Sequence, residues 1–246
     1  MSATQMPLLE IAANSLASAL AAQEGGADRI ELCENLGEGG TTPSHGTVAM
    51  ARERLRIPVY VLIRPRAGDF LYDELEIETM RRDIEHCARL GCDGVVIGAL
   101  DAEGAVATSV CRELIAAAGT MRITFHRAFD AARDSAEALE TIIALGCERV
   151  LTSGARANAR AGADAIAAHV AQAGARLRVM AGAGITPDNI ADIARLTGVR
   201  ELHASAKGTQ ASAMRFRNPA LSGLDVDWMQ TQAAHVRALK QALQSG

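Results

Sequence analysis

The chain has 246 residues, 49% of them hydrophobic and 22% charged, and a chain of this length buries about 70 to 75% of its unfolded surface without a disulfide or metal staple. A net charge of -4 and an aromatic content of 3% exclude an ordinary nucleic-acid binder, which needs a basic stripe for phosphates and rings for stacking bases. Five cysteines without short regular spacing exclude a disulfide framework and suit a reducing cytosol.

The Leu/Ala-rich stretch 8–22 has no basic residue before it and is interrupted by Glu10 and Asn14, so it reads as part of the fold and not as a signal peptide. No segment approaches the roughly 20 apolar residues that cross a bilayer. The expectation is a soluble, cytoplasmic protein with neither membrane nor nucleic acid as partner.

Short apolar strands alternate with amphipathic helices along the chain. Strands are expected at Leu8–Ile11, Arg29–Cys33, Pro58–Arg64, Gly94–Gly98, Arg122–His126, Arg149–Ser153, Leu177–Ala181 and Arg200–Ser205. The helices that follow them are expected near 15–24, 44–54, 75–90, 108–118, 135–145, 157–173, 187–196 and 227–243. Ser15, Ser44, Thr108 and Ser135 stand where N-caps belong, with Pro187 in a first turn. Gly25, Gly91, Gly146 and Gly198 follow helical patterns, as residues of positive φ do.

An internal repeat runs through the glycines: Gly26-Ala-Asp-Arg-Ile-Glu-Leu, Gly91-Cys-Asp-Gly-Val-Val-Ile, Gly146-Cys-Glu-Arg-Val-Leu-Thr and Gly198-Val-Arg-Glu-Leu-His-Ala each lead into an even strand. Eight β-α units without a linker predict a (β/α)8 TIM barrel, an α/β fold, as one domain over 1–246, its core about 8–218 and a C-terminal helix about 227–243. A doubly wound sheet is disfavoured, because Ala12-Ala-Asn-Ser15 after the first strand lacks the phosphate-binding glycines.

In such a barrel the chemistry sits at the carboxyl ends of the strands. Glu10 ends the first strand, Glu31 and Cys33 share one face of the second, Arg64 ends the third and His126 the fifth, while Glu201, His203 and Ser205 share one face of the eighth. Carboxylates, an Arg and two His at one mouth shift each other's pKa values, which is the condition for acid-base work. Glu31, His126 and Asp130 are the candidate catalytic residues, Asp130 either orienting His126 or pairing with Arg127. Arg64 and Arg66 are a candidate clamp for an anion. The turn at Gly182 and Gly184, with Ser205 and Lys207 beside it, is a candidate phosphate cradle, although a lone G-x-G is a weak signal.

Cys33 is the one cysteine expected at the mouth. With His126 or His203 it offers sulfur and imidazole, which favour Cu(I) or Zn. Cys87, Cys92, Cys111 and Cys147 read as packing residues.

Gly26-Ala-Asp-Arg-Ile-Glu-Leu-Cys33, Glu38-Gly-Gly-Thr-Thr-Pro-Ser44, Ile63-Arg-Pro-Arg-Ala-Gly-Asp-Phe70, Thr124-Phe-His-Arg-Ala-Phe-Asp130 and Leu151-Thr-Ser-Gly154 together resemble the CutC family of copper homeostasis proteins, from about Leu8 to Asn218. The resemblance implies a cytoplasmic TIM barrel, commonly a homo-oligomer with a dimer favoured, that handles copper through Cu(I) binding by cysteines; it implies no established reaction. Of such cysteines Cys33 is the one carried over, inside the family motif. Ala181, Ala183 and Ala67 stand where the family usually has Pro or Gly.

Three functions follow as expectations: a copper-binding homeostasis protein; a barrel enzyme using Glu31 or His126 on a small anionic or phosphorylated substrate held by Glu10, Arg64, Arg66, Arg127, His203 and the glycine turn; or a scaffold. No nucleotide cofactor is expected.

Overall fold

Inward and outward residues alternate along every short strand, and the closing contacts follow from that alternation. In the computed structural model, which describes residues 6–220 and 226–245, the chain runs β1 (Leu8–Ala13), α1 (Leu16–Glu24), β2 (Arg29–Leu32), α2 (His45–Arg54), β3 (Val59–Leu62), α3 (Glu74–Arg89), β4 (Gly94–Ile97) and α4 (Thr108–Ala118). It continues with β5 (Arg122–Phe125), α5 (Ser135–Ala144), β6 (Arg149–Thr152), α6 (Ala163–Ala173), β7 (Arg178–Gly182), α7 (Ile190–Thr197) and β8 (Glu201–Ala204). Parallel strands β1 to β8 close into a barrel, β8 pairing back on β1 with Leu8 opposite Glu201 and Glu10 opposite His203. The α/β barrel expected from the repeat is therefore the fold; the ends of the predicted span, 1–5 and 246, lie outside the described residues.

Outward residues such as Leu9, Ile11, Ile30, Leu32, Val95 and Ile97 form the main apolar core between sheet and helices. Repeating glycines reverse the chain after helices: Gly91, Gly146 and Gly198 take φ of 71°, 79° and 73°. Gly25 does not, at φ -74°; its neighbour Gly26 makes the left-handed step at 90°. A Cβ on Gly25 would overlap Val236, so its smallness instead lets the last helix approach α1.

Caps follow local geometry more closely than residue preference. Ser15 accepts from Ser18 N–H and Ser44 from Thr47 N–H as expected. Asp134, one residue earlier than the expected Ser135, caps α5 by accepting from Ala136 and Glu137, leaving Ser135 Oγ to meet His169 Nε2 at 3.0 Å. Ala107 precedes α4 without a side-chain cap, so Thr108 is already helical. Pro187 lies in a turn and α7 starts at Ile190. The largest departure follows β8: an antiparallel hairpin of β9 (Lys207–Gln210) and β10 (Trp228–Thr231) occupies the start of the expected final helix, and α8 spans Ala233–Ser245. Among the described residues no helix is long and apolar enough to cross a membrane.

Candidate functional site

The inward positions of the barrel carry charge where many barrels carry aliphatic side chains. At the amino-terminal end, Arg29 Nη2 donates to Glu201 Oε2 at 2.6 Å and its Nε to Glu10, while Arg149 Nε donates to the same Glu201 oxygen at 2.9 Å and its Nη1 to Thr124 Oγ1 at 3.2 Å. Both guanidiniums lie against Tyr60, each 5.0 Å from its ring centroid. Gly94 makes room for that ring, because a Cβ there would overlap it. This layer forms the floor.

Above it a cavity of about 680 Å³ opens at the carboxyl ends of the strands, lined by Glu31, Arg64, His126, Arg127, Asp130, His203, Ser205 and Lys207 with apolar Leu62, Phe70 and Leu151. The position is the one barrel architecture assigns to an active site.

Glu10, His203 and Glu31 form a line from floor to cavity. Glu10 Oε1 lies 2.7 Å from His203 Nδ1, and His203 Nε2 lies 3.7 Å from Glu31 Oε2. Burial alone would push the Glu10 carboxyl up, but Arg29 and His203 hold it well below the usual carboxylate range. Burial alone would lower His203, yet the Glu31 charge and the bond to Glu10 raise it. Glu31 goes the other way: burial, reinforced by the Glu10 charge, outweighs His203 and Arg29 and pushes it up to about 7. One proton is thus poised between Glu31 and its surroundings at neutral pH, which suits a group that must both take and give one.

His126 ends β5 and turns back on its own chain. Its Nδ1 accepts from Ala128 N–H at 3.1 Å, starting the short 3-10 turn Arg127–Ala131. Burial and the Arg64 charge pull its imidazole down to about 3, so it is neutral. Its Nε2 has no hydrogen-bond partner among the described residues, and neither does Arg64 Nε. The rest of Arg64 is committed, Nη1 to the carbonyls of Glu38 and Gly40 and Nη2 to that of Gly68.

Asp130 pairs with Arg127 and not with His126. Its oxygens accept from Arg127 Nε at 2.7 Å, Thr152 Oγ1 at 2.5 Å and the N–H groups of Ser153 and Ala155. Against the upward push of burial, the bonds from Thr152, Arg127, Ala155 and Ser153 hold its carboxyl below the usual range. It pins the loop after β6 to the loop after β5.

Several expected site residues lie elsewhere. Glu10 and Glu201 are inward but below the cavity, since each strand continues past them. Arg66 turns outward to Glu76 at 2.5 Å and Asp69 at 3.0 Å and does not line the cavity, so Arg64 and Arg66 are not a clamp. Gly182 lies within β7 against Leu151 and His203; the turn meets the cavity through Ala183 and Gly184. Ala183 holds a φ of 74°, a left-handed conformation costly for any residue with a Cβ.

Cys33 is 0% exposed, packed with Tyr60, Leu62 and Val96 behind the cavity wall, its Sγ 3.7 Å from the carbonyl of Ala13. Burial, with Glu31 and Glu34 adding repulsion, pushes its thiol up, which disfavours the thiolate that a soft metal needs. Among the described residues no three His, Cys, Asp or Glu side chains are grouped to hold a metal ion. Phe70, which ends the Ile63-Arg-Pro-Arg-Ala-Gly-Asp-Phe70 motif, is the aromatic wall beside His126 and Arg64, a place that nothing in its sequence spacing foretells.

The fold and site define a (β/α)8 barrel with an acid-base constellation at its mouth. Residues 7–208 match the CutC family model, and the chain belongs to the CutC family. Relatives carrying the CutC name from Xanthomonas campestris pv. campestris and Chromobacterium violaceum are each 56% identical, over 237 and 241 residues; both alignments cover 96% of this chain, with 99% and 98% of the relatives. The solved structure of a Streptococcus agalactiae CutC, a protein assigned to copper homeostasis, superposes with a TM-score of 0.78 at 34% identity, covering 81% of this chain and 99% of its own.

Proposed function

We propose that the barrel mouth carries out proton transfer on a small anionic substrate, with Glu31 as the group that accepts and returns the proton. The observation that carries this reading is the line Glu10–His203–Glu31, in which an ionised carboxylate bonds an imidazole whose pKa the two carboxylates raise, and a second carboxyl, beside the cavity, titrates near 7. A packing role alone does not call for a carboxyl half-ionised at neutral pH. Lys207 and the Gly184 turn on the cavity rim supply the cation and close backbone suited to a substrate's anionic end.

Copper handling is the second reading, favoured by the family and by the role assigned to its Streptococcus agalactiae member. Direct Cu(I) coordination at Cys33 is weighed down by that thiol's burial. The described cysteines are all unpaired, which fits a reducing cytoplasm.

The test is calorimetric titration with 2-phosphoglycolate near pH 7 in buffers of different ionisation enthalpy, with Cu(I) competition titrations alongside. Binding should be accompanied by a fractional proton exchange that disappears in Glu31→Gln, and Cys33→Ser should leave Cu(I) affinity unchanged. An identical proton count in wild type and Glu31→Gln sinks the acid-base reading. Stoichiometric Cu(I) binding lost in Cys33→Ser puts copper back at that residue.

A further inference from the structure

Two donors on residues that line the cavity are left without acceptors among the described residues, and both side chains are held in place by their other bonds. Ala128 N–H can only donate, so the His126 Nδ1 it meets at 3.1 Å carries the lone pair and the ring proton resides on Nε2. That Nε2–H is sealed from solvent and has no partner among the described residues. Arg64 is locked by three carbonyls through its terminal nitrogens and leaves its Nε–H in the same condition. Both residues are 5% exposed, and both line the cavity. Both also pack on Phe70, whose ring centroid is 5.1 Å from that of His126 and 5.2 Å from the Arg64 guanidinium carbon. Gly98 leaves the space the imidazole occupies, since a Cβ there would overlap it.

An unmet buried donor is costly, of order 1–3 kcal/mol, and two beside one phenyl ring suit an oxygen on which charge develops. A resting phosphate or carboxylate would be better served by an imidazolium. A ring locked as a neutral donor suits an uncharged oxygen that becomes negative during reaction, as neutral imidazoles do when they polarise carbonyls.

We propose that His126, with Arg64, is the electrophile of this site, and that the substrate is a small carbonyl compound bearing an anionic group and a hydrogen on the carbon next to the carbonyl. This rests on the acid-base reading of Glu31. The C–H bond breaks toward the Glu31 carboxylate, its electron pair forms the new C=C bond, and the carbonyl π pair moves onto the oxygen held by His126 and Arg64. Return of the proton to the same carbon restores the carbonyl, with exchange or epimerisation there; where that carbon also bears a hydroxyl, passing the hydroxyl proton to the enolate oxygen and returning the carbon-bound proton to the former carbonyl carbon moves the carbonyl by one position, an isomerisation without net redox change. Phe70, half-buried on the loop after β3, is the ring that a substrate oxygen displaces to reach the two donors.

The experiment follows exchange of carbon-bound hydrogen by NMR in D2O, with pyruvate and dihydroxyacetone phosphate as probes, in wild type, His126→Ala, His126→Gln and Glu31→Gln; calorimetry reports probe binding in each. Exchange above buffer is expected with one or both probes, at least about 100-fold slower in His126→Ala, the usual loss for one oxyanion donor. His126→Gln keeps an N–H near the Nε2 position and should recover to within about tenfold of wild type, which a merely structural loss would not. Glu31→Gln should abolish exchange. Exchange equally fast in His126→Ala overturns the electrophile and leaves Glu31 standing. Binding without exchange in wild type overturns the carbonyl substrate alone. No binding of either probe also overturns it, and the acid-base reading is then decided separately by the 2-phosphoglycolate titration.

Discussion

Floor and mouth of this barrel are built from the same side chains, buried Glu, Arg and an aromatic, and differ in whether their bonds are complete. On the floor, Arg29 and Arg149 share Glu201, Glu10 takes the remaining charge of Arg29, and Tyr60 Oη donates to Glu148 at 3.1 Å. At the mouth, His126 Nε2 and Arg64 Nε have no protein acceptor among the described residues and Glu31 titrates near neutrality. A completed buried network specifies structure; an incomplete one beside a cavity is complementary to something else.

The difference can be broken most forcefully from below. Arg29→Met strips a partner from Glu10 and Glu201 together and leaves buried carboxylates uncompensated, so urea unfolding should show a loss of about 3–5 kcal/mol. A loss under 1 kcal/mol would mean the floor is not the completed network described.

Glu31 should behave in the opposite sense. Its carboxyl rises from 4.5 to about 7 on folding, so the fold favours its neutral form. Stability from this group is greatest below pH 4.5 and declines as pH rises to about 7, by up to about 3 kcal/mol. Glu31→Gln should therefore raise stability at pH 8 by up to that amount and change it little at pH 4.5. A melting curve displaced equally at both pH values would place Glu31 among the satisfied groups.

The smallest expected effect concerns strain at the rim. Ala183→Gly removes the Cβ from a φ of 74° and should stabilise by about 1 kcal/mol. If ligand binding weakens at the same time, the strained turn serves the mouth.

Much of this was legible in the chain. The barrel was, because the glycines that recur before the even strands and the two-residue alternation of each strand are local signals. The face shared by Glu31 with Cys33, and by Glu201 with His203, was equally readable. Depth was not: whether Glu10 or Glu31 reaches the cavity depends on the stagger of one strand against the next, which pairs Glu10 with both Arg29 and His203. Arg66 was misplaced because its partner Glu76 lies across a loop that the spacing does not fold. Trp228–Thr231 read as helix because the strand it pairs with, Lys207–Gln210, is remote in sequence. The unmet donors of His126 and Arg64 belong to the assembled wall alone.

Tyr60, Arg29 and Arg149 close the barrel beneath Glu31 and His203 flanks it, all of them buried or nearly so. A proton lodged on Glu31 while a ligand fills the mouth has two destinations, that ligand and His203. With the floor closed, isotope taken from a labelled substrate leaves Glu31 by way of His203 or the mouth, so the longer the deprotonated ligand stays the more of the label is exchanged and the less returns to carbon.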